Sequence, residues 1–174
     1  MNRSAFVGIR PDDIEPYVAG EDRIEGRDDV RKLSSNENPF GPGPLARTAL
    51  MGSLNSLERY PPQDHAALRS AISEMHGLDP EGIVCGAGSD EILGLLCKAC
   101  AGRGSEVIHT RHGFLMYPIF ARTAGAEPAE VDETERRVSV DGILAAVTAR
   151  TRLIFIANPN NPTGTMIGQA ELER

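Results

Sequence analysis

The sequence predicts an α/β fold, a mostly parallel sheet with helices on both faces. Three observations carry that prediction. From Gly82 onward, short apolar runs alternate with amphipathic stretches in a βαβαβαβ rhythm. A glycine-bearing turn, Gly86-Ala87-Gly88, joins the first apolar run to a helix. The last apolar run, Arg152 to Ala157, opens directly into Asn158-Pro159-Asn160-Asn161-Pro162-Thr163-Gly164. Each proline there fixes its own φ and pushes the preceding residue towards an extended conformation, while Gly164 can turn the chain sharply. The side-chain amides of Asn158 and Asn161 are therefore expected at the carboxyl end of a strand, where open α/β sheets bind ligands.

In order along the chain, Met1 to Lys32 carries many charges and little periodicity, and Ile14 to Tyr17 with Gly20 to Asp29 reads as an extended arm with a turn. Leu33 to Pro44 is dense in turn formers and too rigid for a flexible linker. A helix is predicted from Leu45 to Leu54. Arg59-Tyr60-Pro61-Pro62 then breaks the chain. Asp64 caps a second helix whose apolar positions Ala67, Leu68, Ala71, Ile72 and Met75 share one face, ending at Gly77. Beyond it the pattern predicts strands at Ile83–Cys85, Glu106–His109, Ala129–Val131 and Arg152–Ala157. Helices are predicted at Ser89–Ala101, around Met116–Ala124 and at Asp141–Thr148.

Bulk properties narrow the class. A chain of 174 residues that is 40% hydrophobic and 25% charged can bury one real core. The net charge of −7 and the scattered arginines argue against a nucleic-acid surface. No apolar run approaches the ~20 residues of a membrane span, and Met1 to Val7 lacks the apolar segment of a signal peptide, so the expected compartment is the cytosol. Three cysteines, Cys85, Cys97 and Cys100, make no disulfide framework. The Cys97/Cys100 spacing could pair with His109 and His112 around zinc, but it lies within an apolar helix, so small buried thiols are expected and no metal.

Three loops could carry chemistry. At Gly86-Ala87-Gly88-Ser89-Asp90-Glu91, glycines allow close backbone approach, first-turn N–H groups attract an anion, and Ser89 can cap the helix and donate its hydroxyl. Glu91 stands where a dinucleotide fingerprint needs glycine, and no Gly-Lys-Ser/Thr exists, which leaves a cradle for a single phosphate. Tyr117, just past the second strand, can stack on a flat heterocycle or fill core. Asn161 can donate to a phenolate without adding charge. A flat phosphorylated aromatic with a phenolic oxygen, pyridoxal 5′-phosphate, suits this set better than a nucleotide.

Five motifs in order, Asn36-Glu37-Asn38-Pro39 with Gly41-Pro42, Arg59-Tyr60-Pro61, Gly88-Ser89-Asp90-Glu91, His112-Gly113-Phe114 with Tyr117, and Asn158 to Gly164, closely resemble the N-terminal part of histidinol-phosphate aminotransferases, within the fold type I pyridoxal-phosphate superfamily. The resemblance spans essentially the whole chain. It implies an aminotransferase of histidine biosynthesis, passing an amino group from histidinol phosphate to 2-oxoglutarate with pyridoxal 5′-phosphate as cofactor, in a homodimer with shared sites. Carried over by position, it implies that Gly88, Ser89 and Asp90 bind the cofactor phosphate and that Tyr117 stacks on the pyridine ring. It also implies that Asn161 donates to the phenolic oxygen and that Tyr60 reaches the phosphate of the neighbouring subunit. Tyr17 and Asn36 would line the substrate side. Residues 1–43 would form an arm and substrate-side segment, and 44–174 the first part of the cofactor-binding large domain.

Two departures qualify the resemblance. Ala87 stands where family members commonly carry Asn. The chain also stops at Arg174, before the family's Schiff-base lysine, and Lys32 and Lys98 lack that lysine's expected surroundings. The 174 residues are therefore expected to hold no catalytic residue and to turn over nothing by themselves. An aromatic-amino-acid aminotransferase, a phosphothreonine decarboxylase of the same branch, or a non-catalytic α/β ligand-binding module stay open on the residues alone.

Overall fold

The computed structural model describes residues 14, 16–18, 20–21, 23–33 and 35–174. Expectations for 1–13, the start of the arm, lie outside the described residues. Contacts divide the chain into two compact units, with breaks between Tyr17 and Val18 and between Val84 and Cys85.

The unit from 18 to 84 is helical and open. The predicted turn in the arm is present: Ile24 and Arg27 form an antiparallel bridge, and the Arg27 N–H donates to the Ile24 carbonyl. Asn38 organises the next turn, accepting from the Phe40 N–H (3.1 Å) through its side chain and from the Gly41 N–H through its carbonyl. Helix α1 spans Pro44–Ser53 with proline in its first turn, where no N–H is required. Helix α2 spans Ala66–His76 and stops at Gly77, as the pattern predicts. Asp64 accepts from the Ala66 N–H at 3.2 Å, so it serves the helix start from one residue further out than a simple cap. Neither helix contributes a buried residue, so the apolar face expected on α2 is not covered by the described residues.

The second unit holds the sheet. Helix α3 (Gly88–Cys100) leads to β1 (Glu106–Thr110), α4 (Met116–Thr123), β2 (Glu127–Val131), α5 (Val140–Ala146), β3 (Thr151–Ile154) and the short α6 (Gln169–Leu172). The three strands are parallel, in the order β2-β1-β3, with Glu106 opposite Glu127 and Ile108 opposite both Ala129 and Ile154. Two clusters show that helices cover both faces. Val107 packs with Cys97, Tyr117, Ala121 and Phe155 under α3 and α4. Ile108, one residue on and pointing the other way, packs with Val131, Val138, Ile143 and Ile167 under α5. This is the parallel α/β architecture the alternation predicts.

Three expectations need correction. Ile83–Cys85 is not a strand. Val84 is 74% exposed, Ile83 donates back to Pro80 to close a turn, and no neighbouring strand among the described residues offers a ladder. Helix α5 ends at Ala146 rather than Thr148, because Thr148 is drawn into the turn that starts β3, exchanging hydrogen bonds with Thr151. Strand β3 ends at Ile154, although the Phe155 N–H still donates to the Ile108 carbonyl.

Polar groups buried in β1 are matched. Glu106 pairs with Arg150 and accepts from the Thr148 hydroxyl at 2.6 Å, closing the amino end of the sheet. His109, also buried, faces the Thr110 carbonyl through Nδ1 at 3.1 Å. Burial holds its pKa below the ordinary 6.5, outweighing the Thr110 hydrogen bond and nearby Glu130, while Arg122 adds to the lowering. An imidazole with a depressed folded pKa binds its proton more readily when unfolded. Its stabilising contribution is thus complete above about pH 6.5 and is lost as pH falls below that value. The midpoint of thermal unfolding is expected to fall between pH 7 and 5, and His109→Gln to flatten that limb. A profile unchanged by the substitution contradicts the assignment.

Candidate functional site

The carboxyl ends of the strands collect the predicted site residues of this unit. Tyr117 lies in the first turn of α4, after the carboxyl end of β1, and Asn161 follows β3. Helix α3 feeds β1 through a short connection, so its last turn lies at the amino edge of the sheet. Thirteen residues span about 20 Å, enough to return its first turn to the carboxyl rim. Tyr60 and Asn36 belong to the other unit, and Tyr17 lies at the edge of the arm; these are considered separately below.

At the start of α3, Gly88 adopts φ +79°, a left-handed conformation that favours glycine, and a Cβ there would meet nothing within 4 Å. The helix begins at Gly88, so Ser89 sits inside the first turn and is not the cap that the sequence suggested. The Glu91 carboxylate takes over that task, reaching back to accept from the Ala87 N–H at 2.5 Å. First-turn N–H groups have no partner within a helix, which leaves the amides around Ser89 and Asp90 directed outward at an open helix start. Glu91 lies four residues after the cap position, one beyond the capping-box spacing, so the sequence carries no standard sign of this contact.

Tyr117 is 8% exposed and belongs to the core cluster beneath α4. Phe155 covers one face of its ring (centroids 4.8 Å apart, planes at 12°) and Phe114 meets it edge-on at 5.7 Å. Burial raises the phenol's pKa above its ordinary value and keeps it neutral.

The Asn158–Gly164 loop divides its amides differently from the expectation. Asn158 is committed to structure: its carbonyl oxygen accepts from the Ile167 N–H at 3.0 Å and its amide donates to the Ile167 carbonyl at 3.1 Å. Asn160 is the buried one, 4% exposed. It donates to the His112 carbonyl (3.3 Å) and the Thr163 hydroxyl (3.0 Å), while its backbone N–H donates to Thr165. Gly164, at φ +72°, returns its N–H to the Asn160 carbonyl and closes the turn. The sequence sets Asn161 apart only as the residue before Pro162; the fold shows that Asn160 is the amide that turns inward.

The two lysines occupy other surroundings. Lys32 pairs with Glu37 at 2.6 Å, in the other unit. Lys98 lies in the last turn of α3, nine residues and about 14 Å along the helix from Ser89. Cys97 is buried, and burial raises its thiol pKa. Among the described residues, no three His, Cys, Asp or Glu side chains gather as a metal cluster would. No helix among them is long and apolar enough to cross a membrane.

A parallel α/β sheet with ligand-facing loops at its carboxyl rim defines a large class of small-molecule enzymes. Residues 28–174 match the family described as aminotransferase class I and II, and the chain belongs to that family. It is 57% identical over 170 residues to a histidinol-phosphate aminotransferase from Cereibacter sphaeroides, covering 95% of this chain and 47% of that protein. It is 60% identical over 162 residues to one from Dinoroseobacter shibae, covering 93% and 45%. Among solved structures it resembles the histidinol-phosphate aminotransferase from Sinorhizobium meliloti in complex with pyridoxal-5′-phosphate, with a TM-score of 0.75 at 26% identity over 79% of this chain and 38% of that one. It also resembles an aspartate aminotransferase from Thermus thermophilus, with a TM-score of 0.70 at 26% identity over 81% and 40%. The chain spans about half the length of the curated relatives it matches. The resemblance read from the five motifs is borne out.

Proposed function

We propose that this chain is the first part of a pyridoxal 5′-phosphate-dependent aminotransferase of histidine biosynthesis, with histidinol phosphate as amino donor and 2-oxoglutarate as acceptor. The observation that carries this reading is the hydrogen bond that joins the loop before Tyr117 to the loop bearing Asn161 beyond the carboxyl ends of β1 and β3, with the open start of α3 as the proposed phosphate cradle. Identity of 57–60% to histidinol-phosphate aminotransferases supports the choice of substrate.

The residues present fit the cofactor. When bound, it supplies an electron sink for bond cleavage at the amino carbon. The amides near Gly88, Ser89 and Asp90, with the Ser89 hydroxyl, hold its phosphate at the positive end of α3. Tyr117, a neutral ring backed by Phe155, supports the heterocycle, and Asn161 donates to the phenolic oxygen. Tyr60 is 99% exposed, which suits a role on the phosphate of a second copy in a homodimer. Tyr17 and Asn36 line the substrate side, residues 1–43 acting as an arm and 44–174 as part of the cofactor domain. Lys98, at the opposite end of α3 from Ser89, is given no role in moving a proton at this site. The protein is proposed to act in the cytosol, without nucleic acid or membrane.

The test is a transamination assay of the protein that carries this sequence, supplied with pyridoxal 5′-phosphate. Glutamate formation from histidinol phosphate and 2-oxoglutarate is expected. Strong preference for an aromatic amino acid, or carbon dioxide release from phosphothreonine, would overturn the substrate assignment.

A further inference from the structure

Three loops at the carboxyl rim are tied to one another in a closed triangle. The His112 N–H (3.3 Å) and ring Nδ1 (2.9 Å) both meet the Glu133 carboxylate, joining the loop after β1 to the loop after β2. The His112 carbonyl accepts from Asn160, joining the loop after β1 to the loop after β3. The Arg136 carbonyl accepts from the hydroxyls of Thr165 (2.7 Å) and Thr163 (3.3 Å), joining the remaining pair. The Glu133 side chain is 0% exposed although its backbone lies in a surface loop. A carboxylate withdrawn from water is costly unless it is paired, and here it is paired with one residue, His112. An ionised carboxylate only accepts, so Nδ1 carries the proton that points at Glu133. The ring orientation, and with it the carbonyl that receives Asn160, is fixed from behind.

We propose that His112 and Glu133 are a positioning pair: together they hold Asn160, and through it the adjoining Asn161, in register with Tyr117 for the cofactor. This rests on the reading of the site given above. The pair touches neither phosphate cradle nor ring; it acts on the cofactor through Asn160. The consequence is selective. Loosening the triangle impairs contacts to the aromatic and phenolic part of pyridoxal 5′-phosphate and spares the start of α3, which lies outside it.

The test uses the protein that carries this sequence and two probes, pyridoxal 5′-phosphate and inorganic phosphate, whose binding is titrated for the unaltered protein, His112→Leu, Glu133→Gln and His112→Asn. Asparagine keeps a donor near the place of Nδ1. His112→Leu is expected to weaken pyridoxal phosphate binding about tenfold, as loss of a hydrogen bond to a charged group does, and to move the absorption maximum of the bound cofactor. Glu133→Gln is expected to act in the same direction, and His112→Asn to restore most of the affinity and the original maximum. Phosphate affinity should stay unchanged throughout. Equal weakening of both probes would mean a general loss of structure and overturn the proposal, as would unaltered affinity and spectrum in His112→Leu. If the unaltered protein fails to bind pyridoxal phosphate, the functional reading falls and this role falls with it. If it binds and the variants bind equally well, only the pair's role is lost.

Discussion

Ile108→Ala is expected to lower the stability of the sheet unit by about 2–5 kcal/mol, the usual cost of removing a buried isoleucine side chain and leaving a cavity behind it. Ile108 is fully buried in the central strand and is the contact that gathers Val131 from β2, Val138 and Ile143 around α5, and Ile167 beyond the Asn158–Gly164 loop. Because β1 has a strand on each side, its backbone cannot shift to close the cavity without disturbing both ladders. The loss is large beside the 5–15 kcal/mol by which native domains are stable. It should also reach the rim, since Ile167 is the residue that clamps Asn158 through two hydrogen bonds. Urea unfolding followed by circular dichroism measures the effect. A change below about 1 kcal/mol would mean that the second cluster is not a packed core.

The second large effect is expected at Asn160→Ala. The side chain is buried and makes two hydrogen bonds, so its removal takes the donor from the His112 carbonyl, while the Thr163 hydroxyl keeps Arg136 and Thr165 as partners. A buried polar group left without a partner costs about 1–3 kcal/mol. Asn160→Asp is expected to fare no better, because a carboxylate cannot donate to either acceptor. Both variants should lose thermal stability and release the loop that carries Asn161, seen as faster hydrogen exchange from 158 to 165. Exchange rates unchanged in that segment would show that the loop is held by its prolines alone.

How far the sequence could be read depended on where each signal lived. Helix limits were legible to a residue or two where a glycine marks them, as at Gly77, whereas the Ser139 hydroxyl that accepts from Gly142 at the start of α5 emerges only in the fold. Parallel pairing followed from alternation alone. Ile83–Cys85 failed because a strand is a property of two segments, and three apolar residues cannot show whether a neighbour stands beside them. Helix α2 displays an apolar face in sequence, but what covers such a face lies outside its own periodicity. Within the site, the residue types and their order were readable, and the division of labour among them was not. Asn158 and Asn160 are consumed by long-range hydrogen bonds to Ile167 and His112, and Glu133 acquires its meaning only across 21 residues of chain. Tyr117 is both core and candidate ring support, and its neighbour Phe155 comes from another strand end.

One titration addresses the shared rim most directly. Backbone amide resonances of the isotopically labelled chain should be followed as pyridoxal 5′-phosphate is added. Ser89, Asp90, Tyr117 and Asn161 are predicted to shift together and saturate at a single ligand concentration, as one enclosed ligand requires. Shifts that saturate at different concentrations, or that stay confined to the start of α3, would contradict a common site.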